Sequence, residues 1–406
     1  MTDWLIEGAR VLLPSGLEEA AVRTCGDRIA EVGAPSAEGA RRIDGRGLIL
    51  APALTDLHGD AFERQVSPRP GVLAPAEVAV LDTDRQLAAA GIATACHALT
   101  LSWEPGLRSV AQGELFLDAL DAARPRLGVE YRVQLRWEVF AVEALPLIAR
   151  ALAGPATPTI AFNDDASMML RRVETPLQTR PFEFGPRFSP LPFDDPRLPA
   201  RLAGAAQRAG RSPDAYLARF DEVWERRPQV PEIIAEVAAQ GRAAGAPMLS
   251  HDDASTEARD FWRGLGARVS EFPMNLEVAR AARDAGDAIV FGAPNAMRGG
   301  SHLGSLSAPD MIEAGLCDAL ASDCHYPSML AAVARLHAER RAPLPELWAR
   351  VSAGPARAMG LTDRGEIAAG MRADLVLVDW PEGAAPAAAM TLSAGRIAHL
   401  SADLIG

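Results

Sequence analysis

Hydrophobic and polar positions along this chain fall into two kinds of run. Near both ends, short apolar segments sit between Gly and Pro turns, at 4–6, 10–12 and 28–32 and again at 365–380 and 391–399. These have the length and composition of strands. The N-terminal segments are too short for a core of their own, so the two ends are expected to pair into one small β-sandwich. Between them, strand-like runs alternate with runs of helical period. Strands are expected at 48–57, 92–98, 131–139, 159–162, 247–250, 267–272, 288–292 and 319–322, and helices at, for example, 231–243 and 276–285. Eight strands with intervening helices over about 300 residues predict a (β/α)8 TIM-like barrel. The expected division is 1–50 and 363–406 for the two parts of the sandwich and 51–362 for the barrel. The stretch 171–228, rich at first in Pro, Phe and Arg, reads as an excursion that covers the barrel mouth.

The run 48–57 ends abruptly in His58-Gly59-Asp60. Side chains i and i+2 of a strand point the same way, so His58 and Asp60 converge just beyond its tip. Both suit a divalent metal such as zinc or manganese. A lone H-x-D is more simply a polar turn, so its partners decide. Barrel chemistry gathers at the C-terminal strand ends. In order, those ends carry His58 and Asp60, His97, Glu138, Asn163-Asp164-Asp165, His251-Asp252-Asp253, Glu271, then Asn295, Arg298 and His302, and finally Asp323 with Cys324-His325. Five of the 7 histidines fall there. Plainer roles compete: His97 as a core residue, the paired aspartates as helix caps, residues 298–302 as a surface turn. Glu138 and Asp323 resist them, because a carboxylate in an apolar strand is costly unless paired or metal-bound.

Composition narrows the function classes. The 406 residues are 49% hydrophobic, enough for one large domain and a small one. No apolar run reaches membrane-spanning length, the N-terminus lacks signal-peptide features, and the four cysteines are scattered. A cytoplasmic, reduced protein with no membrane partner is expected. The net charge of -12 argues against nucleic acid, and a polyphosphate would need local cations or metal. All 41 basic residues are arginine. A carbamylated-lysine metal bridge, a Schiff base and a lysine base are therefore excluded.

The two-ended sandwich, the H-x-D after strand one, His251 after strand five, the lone Asp323 after strand eight and the tail GMRADLVLVD together resemble the amidohydrolase superfamily. LTDLHGDAFERQVSPRPGV, PMLSHDDAS, EFPMNLEVA, GAPNAMRGGSHLGS and ASDCHYPSML narrow this to the diphosphatases of the phosphonate carbon–phosphorus lyase pathway, and the similarity runs in order through nearly the whole chain. The resemblance implies hydrolysis of α-D-ribose 1-methylphosphonate 5-triphosphate to the 5-phosphate and diphosphate. It implies a divalent metal, zinc first and manganese or iron next, as one or two ions. His58, Asp60, His251 and Asp323 would be ligands and Glu138 a bridging carboxylate. Water activated by the metal would attack phosphorus, with Asp323 taking its proton. Arg298, His302 and Arg69 would meet phosphoryl oxygens, Asn295 and His325 other parts of a small phosphorylated sugar, and Asp164 and Asp165 either ribose hydroxyls or a further metal. A homodimer is one assembly such a chain supports. The chain departs from the pattern at Gly59, Asp165, Cys324 and His325. The alternatives are therefore a hydrolase of another phosphorylated sugar, or an amidohydrolase acting on a C–N bond of a cyclic amide or N-acyl substrate.

Overall fold

The apolar run 48–57 is two strands in two different sheets. In this computed structural model, which describes residues 2–69, 71–301 and 304–404, Ile49–Pro52 belongs to a side sheet and Leu54–Gly59 (β1) opens the barrel. The switch falls where proline ends the supply of backbone donors. Beyond Pro52, the Ala53 N–H donates to Asp374 O at 3.0 Å and the Leu54 N–H to Gly91 O at 2.9 Å. The chain thus changes partners within two residues.

Seven further barrel strands follow: Ile92–Leu101 (β2), Glu130–Glu138 (β3), Thr159–Asn163 (β4), Met248–His251 (β5), Val269–Glu271 (β6), Ala288–Gly292 (β7) and Ala319–Ala321 (β8). Each pairs in parallel with the next. The ring closes at its mouth through a parallel bridge between Gly59 and Asp323. There the Asp323 N–H donates to His58 O, and the Asp60 N–H to Asp323 O, both at 2.9 Å. Below this bridge the buried Asp56 carboxylate accepts from the Ser322 N–H at 3.0 Å and hydroxyl at 2.5 Å. These bonds join the first and last barrel strands directly beneath three of the expected site residues.

Helices cover the barrel with one apolar face each. Val230–Ala243, for instance, buries Ile234, Val237, Ala238 and Gly241, an i, i+3, i+4, i+7 stripe. The excursion contains two helices, Leu198–Arg208 and Pro213–Trp224, that its Pro-rich beginning conceals from a simple periodicity count. It is tied to the mouth: Arg180 Nη2 donates to Asp252 O at 2.6 Å, and Asn275 Nδ2 to Gln178 O at 2.8 Å.

The chain ends build two side sheets. The larger runs, in order, Arg396–Leu400, Ala387–Ser393, Leu375–Asp379, Ile49–Pro52, Arg10–Leu13 and Gly16–Glu19. The smaller runs Arg28–Gly33, Ala21–Cys25, Trp4–Glu7 and Arg41–Asp44. Ile6, Val11, Val22, Ile29 and Leu50 share one buried core with Leu375, Leu377, Met390 and Leu392, so the two termini complete each other. The expected strand at 365–380 shrinks to Leu375–Asp379, because a turn at Gly370 (φ 87°) precedes it. The expected run 391–399 is a hairpin turning at Ala394 and Gly395, both with positive φ. No described helix is long and apolar enough to cross a membrane.

Candidate metal centre and cleft

The mouth of the barrel collects side chains from four of its strand ends. His58, Asp60 and Asp323 place ligand atoms within 4.8 Å of one another, and so do His58, His251 and Glu271. His58 thus belongs to both groups. The first group follows from the closure bonds, which fix the tip of β1 against Asp323, two residues after β8. The second follows from ring geometry, since β5 and β6 are neighbours and His251 pairs in register with Glu271.

The backbone here is held in uncommon conformations. Asp252, Phe272 and Asp323, the residues directly after or next but one after β5, β6 and β8, have φ of 58°, 55° and 51°. Non-glycine residues visit this left-handed region rarely and cluster at functional sites when they do. The turn at Asp323 lets its backbone bond β1 while its carboxylate faces the ligand groups.

His58 is buried, with Nδ1 3.2 Å from Glu271 Oε1. Both His58 Nδ1 and Glu271 Oε2 are buried without a well-formed hydrogen bond. Burial opposes a charge on His58, but the carboxylates of Glu271 and Asp60 outweigh it and push its pKa up to about 9. Burial, with Asp60 nearby, raises the pKa of Asp323 although His58 and His251 pull it down. Burial would also raise Asp252, but His251, whose Nδ1 lies 2.9 Å away, and Arg180 hold it below the ordinary value. Two imidazoles and three carboxylates, with buried donor atoms left over, fit a divalent cation of the zinc, manganese or iron type.

A cleft of about 350 Å³ opens above this cluster. His58, His251 and Asp323 lie at its floor, with Arg136, Asn295 and Arg298 among its polar lining and Phe272, Met274 and Phe291 among its apolar lining. Arg136 approaches Asp60 at 3.9 Å.

The other expected site residues are placed as follows. Glu138 is buried at the end of β3 but stays outside both ligand groups. Its Oε2 accepts the Asp165 N–H at 2.8 Å, while Oε1 has no hydrogen-bond partner. Burial, then Asp165 and Asp164, raise its pKa well above normal. Asp164 caps the short helix Asp165–Met169 by accepting the Ser167 N–H at 2.8 Å. Its pKa is pushed up to about 7 by burial and by Glu183. The helix at Thr256–Leu265 is capped by Ser255, and Asp253 instead pairs with the buried Arg259 and the Ser250 hydroxyl. Asn295 lines the cleft, but its amide already bonds Leu306 O at 2.8 Å and the Ala308 N–H at 3.0 Å. Arg298 lines it too, with Nη2 3.4 Å from Gly300 O. Arg69 is exposed, and neither it nor His325 is among the described residues of the lining. His302 lies outside the described residues. His97 is a core residue, packed on Phe62, Phe116 and Tyr131, with its pKa lowered to about 3 by burial.

Two residues without an expected role stand in the site. Glu271 supplies the carboxylate against His58. Arg136 shares a strand face with Glu138 two residues on, which is the signal that alternation along β3 offers.

The Amidohydrolase family model matches residues 199–400. The alpha-D-ribose 1-methylphosphonate 5-triphosphate diphosphatase of Escherichia coli (strain K12) is 31% identical over 341 residues, covering 82% of this chain and 84% of that protein. An amidohydrolase from an environmental sample of the Sargasso sea superposes with a TM-score of 0.64 at 14% identity, covering 98% of this chain and 93% of that one. A triazine hydrolase variant gives 0.63 at 15% identity, covering 98% and 94%. Those two likenesses concern the fold, whereas the diphosphatase is a relative in sequence. With its parallel barrel, its two-ended side sheets and the ligand groups at the mouth, the chain belongs to the amidohydrolase superfamily as a metal-dependent hydrolase related to that diphosphatase.

Proposed function

We propose that this enzyme hydrolyses a phosphoanhydride, and that its substrate is α-D-ribose 1-methylphosphonate 5-triphosphate, released as the 5-phosphate and diphosphate. The observation that carries this reading is the shared cleft: His58, His251 and Asp323 lie in one cavity with Arg298. A site with this many carboxylates repels a polyphosphate unless cations stand beside them. The sequence relationship to the diphosphatase supports the same substrate class.

His58, Asp60, His251 and Asp323 would hold the metal, with Glu271 as the further carboxylate in the place first considered for Glu138. Zinc is the ion we propose, as one or two ions. When bound, such an ion supplies Lewis-acid charge and lowers the pKa of a coordinated water from 15.7 towards ~7. Asp323 accepts the proton from the attacking water, and its burial makes it the more basic for that task. Arg298, at the cleft wall, meets oxygens of the phosphate chain. Phosphoryl transfer needs mainly such positioning and charge.

The apolar wall of Phe272, Met274 and Phe291 favours a second reading, a C–N hydrolase of a cyclic amide. The test is diphosphate release by protein loaded with zinc or manganese, with the triphosphate offered beside a dihydropyrimidine and an N-acyl amino acid. Diphosphate release that disappears in Asp323→Asn supports the first reading. Turnover of an amide with silence on the triphosphate overturns it.

A further inference from the structure

Arg136 sits near the mouth end of β3, on the same strand face as Gln134 and Glu138 and between them. Gln134 is buried beneath the cluster, where its Nε2 donates to Glu271 Oε1 at 3.2 Å and to Leu57 O at 3.4 Å. Gln134 is fully buried, whereas Arg136, two residues further along β3 towards the mouth, is partly exposed. Its side chain is 13% exposed and lines the 350 Å³ cleft beside His58, His251 and Asp323.

Its guanidinium is aimed from behind. With the Asn163 amide oriented to satisfy its neighbours, Asn163 Oδ1 accepts from Arg136 Nε at 2.8 Å and from Nη2 at 3.2 Å. Asn163 is itself buried at the end of β4, which pairs in register with β3 so that Arg136 faces Ala161 and Glu138 faces Asn163. Two bonds to one oxygen fix the plane of the fork. Nη1 is then left directed toward the ligand groups, 3.9 Å from Asp60 Oδ2. That distance is too long for a hydrogen bond, so the donor is held beside the carboxylate without being consumed by it. A charged donor kept rigid and only loosely engaged is suited to an incoming oxyanion.

We propose that Arg136 is a substrate-binding residue, which docks a phosphoryl oxygen next to the metal centre, and that Asn163 is its positioning residue. This rests on the phosphoanhydride reading given above. It adds to Arg298 a second anion contact in the same cleft, beside His58, His251 and Asp323. Arg136 donates hydrogen bonds and remains protonated throughout, so no proton changes hands at this residue.

The experiment uses inorganic diphosphate as probe on zinc-loaded full-length protein, with metal content measured in each sample. Wild type is expected to bind diphosphate. Arg136→Met should weaken that binding and lower kcat/KM on the triphosphate by about 100-fold at unchanged metal content. Arg136→Lys, which keeps the charge and loses the fork, should recover part of the loss, and serves if the Met variant does not fold. Asn163→Ala should raise KM more than it lowers kcat, a split that a purely structural lesion would not give. Diphosphate affinity and kcat/KM equal to wild type in both Arg136 variants would overturn the assignment alone. Wild type that binds no diphosphate and leaves the triphosphate intact would overturn the phosphate reading and the assignment with it.

Discussion

Strand β3 begins with Glu130 at the foot of the barrel and ends with Glu138 at its mouth, and the two glutamates are treated differently. Glu130 receives Arg364 at 3.0 Å, Arg132 at 3.1 Å and Arg372. Arg364 also donates to Thr94 Oγ1 at 2.7 Å, and Arg372 pairs with Asp374 at 2.9 Å. Arg364 and Arg372 come from the C-terminal part of the chain, so this network binds the side sheets to the barrel foot. Glu138 meets backbone N–H groups at Asp165 and Ala166 rather than an arginine, with two aspartates close by and one oxygen without a hydrogen-bond partner. Around His58 and Glu271 the same surplus of unpaired buried atoms recurs. Stability at the foot comes from matched charges in a partly dry setting. At the mouth the protein leaves charges unmatched, and something outside the chain must match them.

The comparison is broken most directly by Asp323→Asn. Loss of the proposed proton acceptor, which is also a proposed metal ligand, is expected to cut turnover by on the order of 10³-fold. The fold should survive, because the closure bonds to Asp323 use its backbone. Steady-state rates together with a thermal melt check both halves. If activity and melting fall together, the mouth is structural after all.

The opposite lesion belongs at the foot. Arg364 is 4% exposed, and Arg364→Ala removes the more buried of the two arginines that Glu130 and Asp374 share, together with its bond to Thr94. Breaking a buried pair on one side costs about 3 kcal/mol. Denaturant unfolding should show this, while kcat of the folded, metal-loaded fraction stays within about twofold of wild type, as expected for residues far from the chemistry.

Glutamates at the mouth can be separated by metal affinity. Glu271→Gln should weaken metal binding by about 10- to 100-fold, whereas Glu138→Gln, which replaces a carboxyl biased towards its neutral form, should leave it near wild type. Metal titrations of both variants decide between them. A large loss in Glu138→Gln would restore it as a bridging ligand.

The smallest effect is a proton count. With its pKa up to about 9, His58 carries a proton in the metal-free protein at pH 7. A ligating imidazole must be neutral, so metal binding at pH 7 should expel about one proton. The sign follows: apparent affinity rises with pH while His58 is protonated and levels off above about pH 9. Calorimetry in buffers of different ionisation enthalpy measures the release.

Several features were legible in the chain itself. Alternating strand and helix runs announced the barrel, since each period reports which face an element buries. H-x-D after the first run, and the lone acidic residues at later strand ends, marked the mouth. The side-strand hairpin at 394–395 and the break after Pro52 were harder, because an apolar run looks the same whether one sheet or two accept it. The choice of carboxylate was out of reach. Glu138 and Glu271 are equivalent by position, each closing an apolar strand, and both are fully buried.

The amino-acid order by itself determined which residues reach the strand ends, because strand period and barrel polarity are local properties. Only the tertiary structure decided which of them meet. Ring closure set Asp323 beside His58 and Asp60, and the β5–β6 register set Glu271 beside His251. Convergence in a barrel depends on strands far apart in sequence, and on a circumference that no single segment encodes.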